Sequence, residues 1–196
     1  METITSDAQD SRRPIRDDAL QAVRTLLAYA GENPDREGLR ETPRRVIDAL
    51  CEMTSGMTEY PGVHLQKQFN EKCDEMVVLR GIPFVSLCEH HMLPFSGTCD
   101  IAYIPRSSVV GLSKLARLLD GFATRLQIQE RLTKQVANAL QDELEPIGVG
   151  VIVRASHSCM SCRGVRKHSS EMVTSSLHGL IKTDERARAE FLGLAR

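Results

Sequence analysis

Two short Cys/His clusters, Cys88-Glu89-His90-His91 and His157-Ser158-Cys159, constrain this chain more than any other feature. They lie far apart in sequence, and each follows a run rich in β-branched residues, so each falls at the end of an expected strand. Cys88 and His91 have C-x-x-H spacing, which lets a thiolate and an imidazole meet one ion from a single turn. Zinc takes such a mixture of donors in tetrahedral geometry. Two ligand sets follow. If Cys88, His91, Cys159 and Cys162 all bind, the site is closed and structural. If three bind, an open position remains and the site can be catalytic. C-x-x-H facing C-x-x-C is a common structural pattern, which suits a zinc-stapled binding module with a closed site. Against it stand His90 and His157, each beside a candidate ligand. A hydrolytic site needs proton carriers with pKa near neutrality, whereas a structural site has no use for them. The spare histidines therefore favour a catalytic centre.

The rest of the chain reads as α+β. Leu20, Val23, Leu26 and Leu27 recur at helical spacing between Asp17 and Ala30, and Thr42-Pro43 announces a second helix running to Gly56. A brief connection between them predicts an antiparallel pair. Strands are expected over 76–79, 82–87, 98–104 and 147–155, with a fifth over 171–177. Helical patterns begin near Ser113 and Gln129, and a last short helix is expected over 184–192. Helices, then strands, then helices, then strands argue against alternating βαβ units. The expected organisation is a mobile tail over 1–16, a helical hairpin over 17–60 and a catalytic domain over 61–196.

Composition narrows the function classes. An apolar fraction of 41% with 26% charged residues is that of a soluble globular protein. Net charge of −1 excludes a broad electrostatic grip on nucleic acid or an anionic membrane. With no Trp, three Tyr and five Phe, a base-stacking platform is disfavoured. Residues 1–18 carry no apolar core of the kind a secretory signal needs, and no run of transmembrane length follows. A cytoplasmic location is expected, where thiols stay reduced.

A few cations are nonetheless placed for a small anion. Gly111-Leu112-Ser113-Lys114 opens a helix with Arg117 on the same face as Lys114. Cations in a first turn oppose the helix dipole unless a bound anion reverses the sign. Arg45 and Arg163 are further candidate phosphate donors. No Gly-x-x-x-x-Gly-Lys-Ser/Thr run exists, so phosphate would be held by side chains. Glu130, at the start of the next helix, reads equally as an acid favoured by the helix dipole or as a carboxylate accepting two hydrogen bonds from guanine.

The blocks Cys88-Glu-His-His91, Gly111-Leu-Ser-Lys-Leu-Ala-Arg117, Arg125-Leu-Gln-Ile-Gln-Glu-Arg-Leu-Thr133 and His157-Ser-Cys-Met160 with Arg163-Gly164 resemble GTP cyclohydrolase I. The resemblance runs from about Leu39, through Thr42-Pro43-Arg44-Arg45-Val46, to Glu190-Phe191-Leu192. It implies zinc held by Cys88, His91 and Cys159, with Cys162 a non-ligand where the family has no cysteine. It implies proton transfer by His90 and His157, and guanine recognition by Gln129 and Glu130. Triphosphate binding falls to Arg45, Lys114, Arg117 and Arg163, and Ser113 faces the ribose during sugar opening. The implied reaction converts GTP and water to 7,8-dihydroneopterin triphosphate and formate, the first step of tetrahydrofolate and pterin biosynthesis, with water activated by zinc attacking C8. A relative acting on another purine is the alternative within the same fold. The implied fold is the tunnelling fold, an antiparallel sheet with helices on one face. The implied assembly is a homodecamer of two stacked pentamers whose active sites are shared between subunits.

Overall fold

The structure, a computed structural model, describes residues 13–195. The described residues divide into two compact units, one ending at Glu52 and the other beginning at Met53. In the first, helix α1 (Arg13–Tyr29) is followed by α2 (Thr42–Met53). Arg16 near the start of α1 pairs with Asp48 late in α2 at 2.7 Å, and Arg24 with Asp35 in the connection at 2.6 Å. The first contact joins α1 to α2, and the second joins α1 to the connection. Helix α1 begins ahead of Asp17, and the greater part of the expected tail over 1–16 lies outside the described residues.

The second unit is built on a five-stranded sheet. Its elements are β1 (Gln68–Phe69), β2 (Val77–Cys88), β3 (Pro94–Ile104), β4 (Val109–Val110), α3 (Leu112–Ala123), β5 (Leu126–Gln127), α4 (Gln129–Leu144), β6 (Gly148–His157), α5 (Ser158–Ser161), β7 (Met172–His178), α6 (Gly179–Thr183) and α7 (Glu185–Leu194). The main sheet runs β5-β2-β3-β6-β7, antiparallel except for a two-residue parallel pairing of β5 with the end of β2. The small strands β1 and β4 pair with each other.

The two expected strands over 76–79 and 82–87 are one. Pairing of β2 with β3 shifts register between Leu79 and Ile82, and Gly81 sits there at φ +64°, where a side chain would be strained. Buried Asp100 on β3 accepts the Gly81 N–H at 2.8 Å, which pins the bulge. Asp100 also forms an ion pair with Arg154 of β6, and Arg154 donates to the Ala195 carbonyl at 2.9 Å. A polar staple thus joins the bulge, the sheet and the chain's last described residue.

Over 101–104 and 149–153, strands β3 and β6 are apolar on both faces because both faces are covered there. Ile101, Tyr103, Val151 and Val153 belong to one buried cluster with Leu115, Leu118 and Phe122 of α3 and Leu132, Val136 and Leu140 of α4. Their neighbours Ala102, Ile104 and Ile152 turn the other way and join Ile181, Ala187, Phe191 and Ala195. The period-2 alternation of a strand sorts one apolar run onto two cores. The two long helices occupy one face as expected, while α6 and α7 cover part of the opposite one. Tyr103 shows how tightly the first core is satisfied: it is buried, and its hydroxyl accepts the Val110 N–H at 3.1 Å. Tyr103→Phe leaves that buried N–H unpaired and is expected to cost about 1–2 kcal/mol. A lower urea midpoint with unchanged slope would report it.

Topology decides where the two Cys/His clusters meet. Strand β2 ends at Cys88, and the next turn pairs Leu87 with Pro94 at the start of β3. One residue on, Phe95 lies opposite His157, the last residue of β6. Three antiparallel strands therefore deliver both clusters to one end of the sheet.

Candidate metal centre

The Cys88 turn is closed by its own backbone. The Cys88 carbonyl accepts from His91 N–H at 3.3 Å and Met92 N–H at 2.8 Å, while Cys88 N–H donates to Leu93 at 2.9 Å. Met92 completes the reversal in the left-handed region at φ +53°. The turn folds both imidazoles back over the thiol, with His90 Nδ1 and His91 Nδ1 each 3.9 Å from Cys88 Sγ. From the other side, the single helical turn α5 raises Cys159 off the end of β6.

One donor atom from each of Cys88, His91 and Cys159 lies within 4.8 Å of the others. Cys88 is buried, Cys159 half-buried and His91 exposed, so the group opens to solvent on the imidazole side. Cys162 is exposed and stands outside the group. Burial pushes the Cys159 thiol up from its ordinary range and the adjacent Cys88 sulfur pushes it further, with Arg163 acting the other way. A divalent cation between the sulfurs would relieve both costs, since it stabilises thiolate over thiol. Two sulfurs and one imidazole, drawn from two chain segments, form a group that could hold a metal ion.

His157 is held on two sides. Its ring stacks on Phe95 at 4.6 Å between centroids and 3° between planes. Its Nε2 lies 2.9 Å from Gln129 Oε1. Burial lowers its pKa, and the nearby Glu130 carboxylate opposes that shift. Gln129, expected to read guanine, is fully buried, and both ends of its side-chain amide are engaged within the protein. Glu130, the next residue, is exposed in the first turn of α4. It lines a cavity of about 610 Å³ with Lys134, Thr174 and His178.

The metal turn is tied to the start of α4 by contacts that sequence reasoning missed. Glu89 N–H donates to the Gln127 carbonyl at 2.9 Å, and the Glu89 carboxylate takes both ends of the Arg131 guanidinium at 2.5 and 3.1 Å. This bidentate pair lowers the Glu89 pKa from its ordinary value. Nothing in local pattern marks it, because its partners belong to different elements.

The remaining candidates of the second unit are spread over other elements. Ser113 is exposed, Lys114 half-buried and Arg117 exposed along the start of α3. Arg117 lines a separate cavity of about 390 Å³ with His64, Asp120 and Thr124. Arg163 is exposed just beyond α5, near enough to Cys159 to act on its thiol. Arg45 is exposed on α2 in the first unit.

The GTP cyclohydrolase I family model matches residues 19–196. The chain is 53% identical over 173 residues to GTP cyclohydrolase 1 of Rhodopirellula baltica, covering 88% of this chain and 76% of that protein. It is 51% identical over 177 residues to the protein of the same name from Pelotomaculum thermopropionicum, covering 90% and 94% respectively. With the Coxiella burnetii GTP cyclohydrolase 1 the figures are 51% over 175 residues, 89% and 95%.

Proposed function

The chain belongs to the GTP cyclohydrolase I family, and from that premise we propose how its residues convert GTP and water to formate and 7,8-dihydroneopterin triphosphate. The observation that carries the reading is the convergence of Cys88, His91 and Cys159 at one sheet end, with two further histidines and Glu130 beside them. Zinc held by those three residues would supply Lewis acidity and make water a nucleophile at neutral pH.

The chain's own groups do the rest. The Glu130 carboxylate accepts hydrogen bonds from guanine N1–H and the N2 amino group, which orients C8 toward the metal end of the sheet. His90 or His157 delivers a proton to purine N7 as the five-membered ring opens. Arg45, Lys114, Arg117 and Arg163 neutralise the triphosphate, and Ser113 faces the ribose as it opens and recloses. Fixing base and triphosphate at once keeps the opened intermediate from diffusing away.

Assembly into a shared-site decamer fits two features of the single chain. Arg117 and Glu130 line different cavities. Among the described residues both edges of the main sheet are open, since β7 has no outer partner and β2 meets β5 only at Leu87 and Cys88. Long open edges are a liability that a ring of subunits removes. A cytoplasmic location fits six free cysteines. No helix among the described residues is long and apolar enough to cross a membrane.

Incubating zinc-loaded protein with GTP is expected to release formate and, after oxidation, a fluorescent pterin. Full zinc content without either product overturns the reading, and turnover of ATP in place of GTP overturns the guanine assignment.

A further inference from the structure

Gln129 sits at the centre of a hydrogen-bond chain whose donors and acceptors can be assigned without seeing a hydrogen. Its Nε2 lies 3.0 Å from the Val153 carbonyl and 2.9 Å from the Met172 carbonyl. Both are acceptors only, so the amide nitrogen must face them; the flipped amide would set three oxygens against one another. The third neighbour, Thr174 Oγ1 at 3.2 Å, agrees. Thr133 Oγ1 donates to the Gln129 carbonyl at 2.7 Å, so at the 2.6 Å contact of the two threonines Thr174 is the donor. That leaves a Thr174 Oγ1 lone pair facing the amide, where it can share one of the two N–H protons given to the carbonyls. With every proton on the nitrogen side placed, Gln129 Oε1 can only accept, and its partner 2.9 Å away is His157 Nε2.

We propose that Gln129 is a positioning residue that fixes neutral His157 as the Nε2–H tautomer, leaving Nδ1 as the ring atom that exchanges a proton with substrate. Resting on the cyclohydrolase reading, this takes the Gln129 side chain away from guanine and leaves base recognition to Glu130. Full burial of Gln129 locks its rotamer, and the Phe95 stack fixes the plane of the imidazole, so neither partner can turn to exchange roles. The arrangement is that of an oriented base: one ring nitrogen is committed to a fixed acceptor and the other presents its lone pair.

The test is the ring ¹⁵N spectrum of zinc-loaded protein labelled at histidine, with His157 assigned by its loss in His157→Asn. At a pH where the ring is neutral, the proton is expected on Nε2; a proton on Nδ1 overturns the proposal. Because this is read on the unsubstituted protein, it stands even if a Gln129 variant fails to fold. Gln129→Met is expected to keep its zinc and lower kcat for GTP about 10–100-fold with KM little changed, as loss of an orienting partner does. A raised KM with kcat retained would mean that the amide binds the base, and would also overturn it. The two readings fail separately: the Nε2–H form in a protein that does not turn over GTP overturns only the activity, and the Nδ1–H form in one that does overturns only the positioning role.

Discussion

Cys159→Ser is expected to strip zinc from the protein and lower formate release from GTP by about 10³-fold or more, while Cys162→Ser leaves both at wild-type level. The contrast follows from position. Cys159 Sγ shares a 4.8 Å neighbourhood with Cys88 and His91, whereas Cys162 is exposed three residues on and outside that group. A serine hydroxyl stays protonated where a thiolate binds, so the site falls from three strong donors to two. A Lewis acid is worth several kcal/mol of transition-state charge stabilisation, and about 4 kcal/mol is a factor of about 10³ in rate. Cys159 is only half-buried on a four-residue helix, so the loss should appear in metal content and turnover rather than in folding. Elemental analysis beside the GTP assay checks both variants. If Cys162→Ser costs zinc as severely as Cys159→Ser, the closed four-ligand site is the right one and the catalytic reading falls.

How much of this could be read without coordinates depends on the distance over which each contact is specified. The Cys88–His91 turn is local: C-x-x-H spacing already lets that thiol and imidazole meet, although β3 restarts at Pro94, ahead of the strand expected over 98–104. The long helices α3 and α4 declare themselves by periodicity: Leu115, Leu118 and Phe122, and Leu132, Val136 and Leu140, recur at helical spacing and fill the first core. The bulge in β2 was illegible because Arg80-Gly81 looks like a break between strands, and Asp100, which pins it, lies on the neighbouring strand. The role of Gln129 was hidden for the same reason. Its partners Val153, Met172 and Thr174 come from two strands far downstream, so nothing near it in sequence separates a base-reading amide from one buried beneath a histidine. The second core was missed because α6 and α7 fold back on a face that an apolar strand pattern does not distinguish from the first.

Glu130→Ala is expected to lower kcat/KM for GTP by about 10²–10³-fold with little change in stability. The carboxylate is exposed in the first turn of α4 and makes no side-chain hydrogen bond among the described residues. Its structural worth is therefore that of an acid at a helix N-terminus, about 0.3–1 kcal/mol. Against a bound base it would accept two charge-assisted hydrogen bonds, each worth about 1.5–3 kcal/mol. Allowing for non-additivity, a loss of about 3–4 kcal/mol gives the stated factor. Glu130→Gln should be nearly as damaging, because the amide turns a donor toward a donor edge. Comparing GTP with inosine triphosphate, which lacks the N2 amino group, isolates the interaction. The wild-type protein is expected to prefer GTP, and Glu130→Ala to erase most of that preference by lowering GTP turnover far more than that of the inosine analogue. A preference that survives the substitution undiminished would show that Glu130 does not read the base, and would return its carboxylate to the bland role of a helix-end acid.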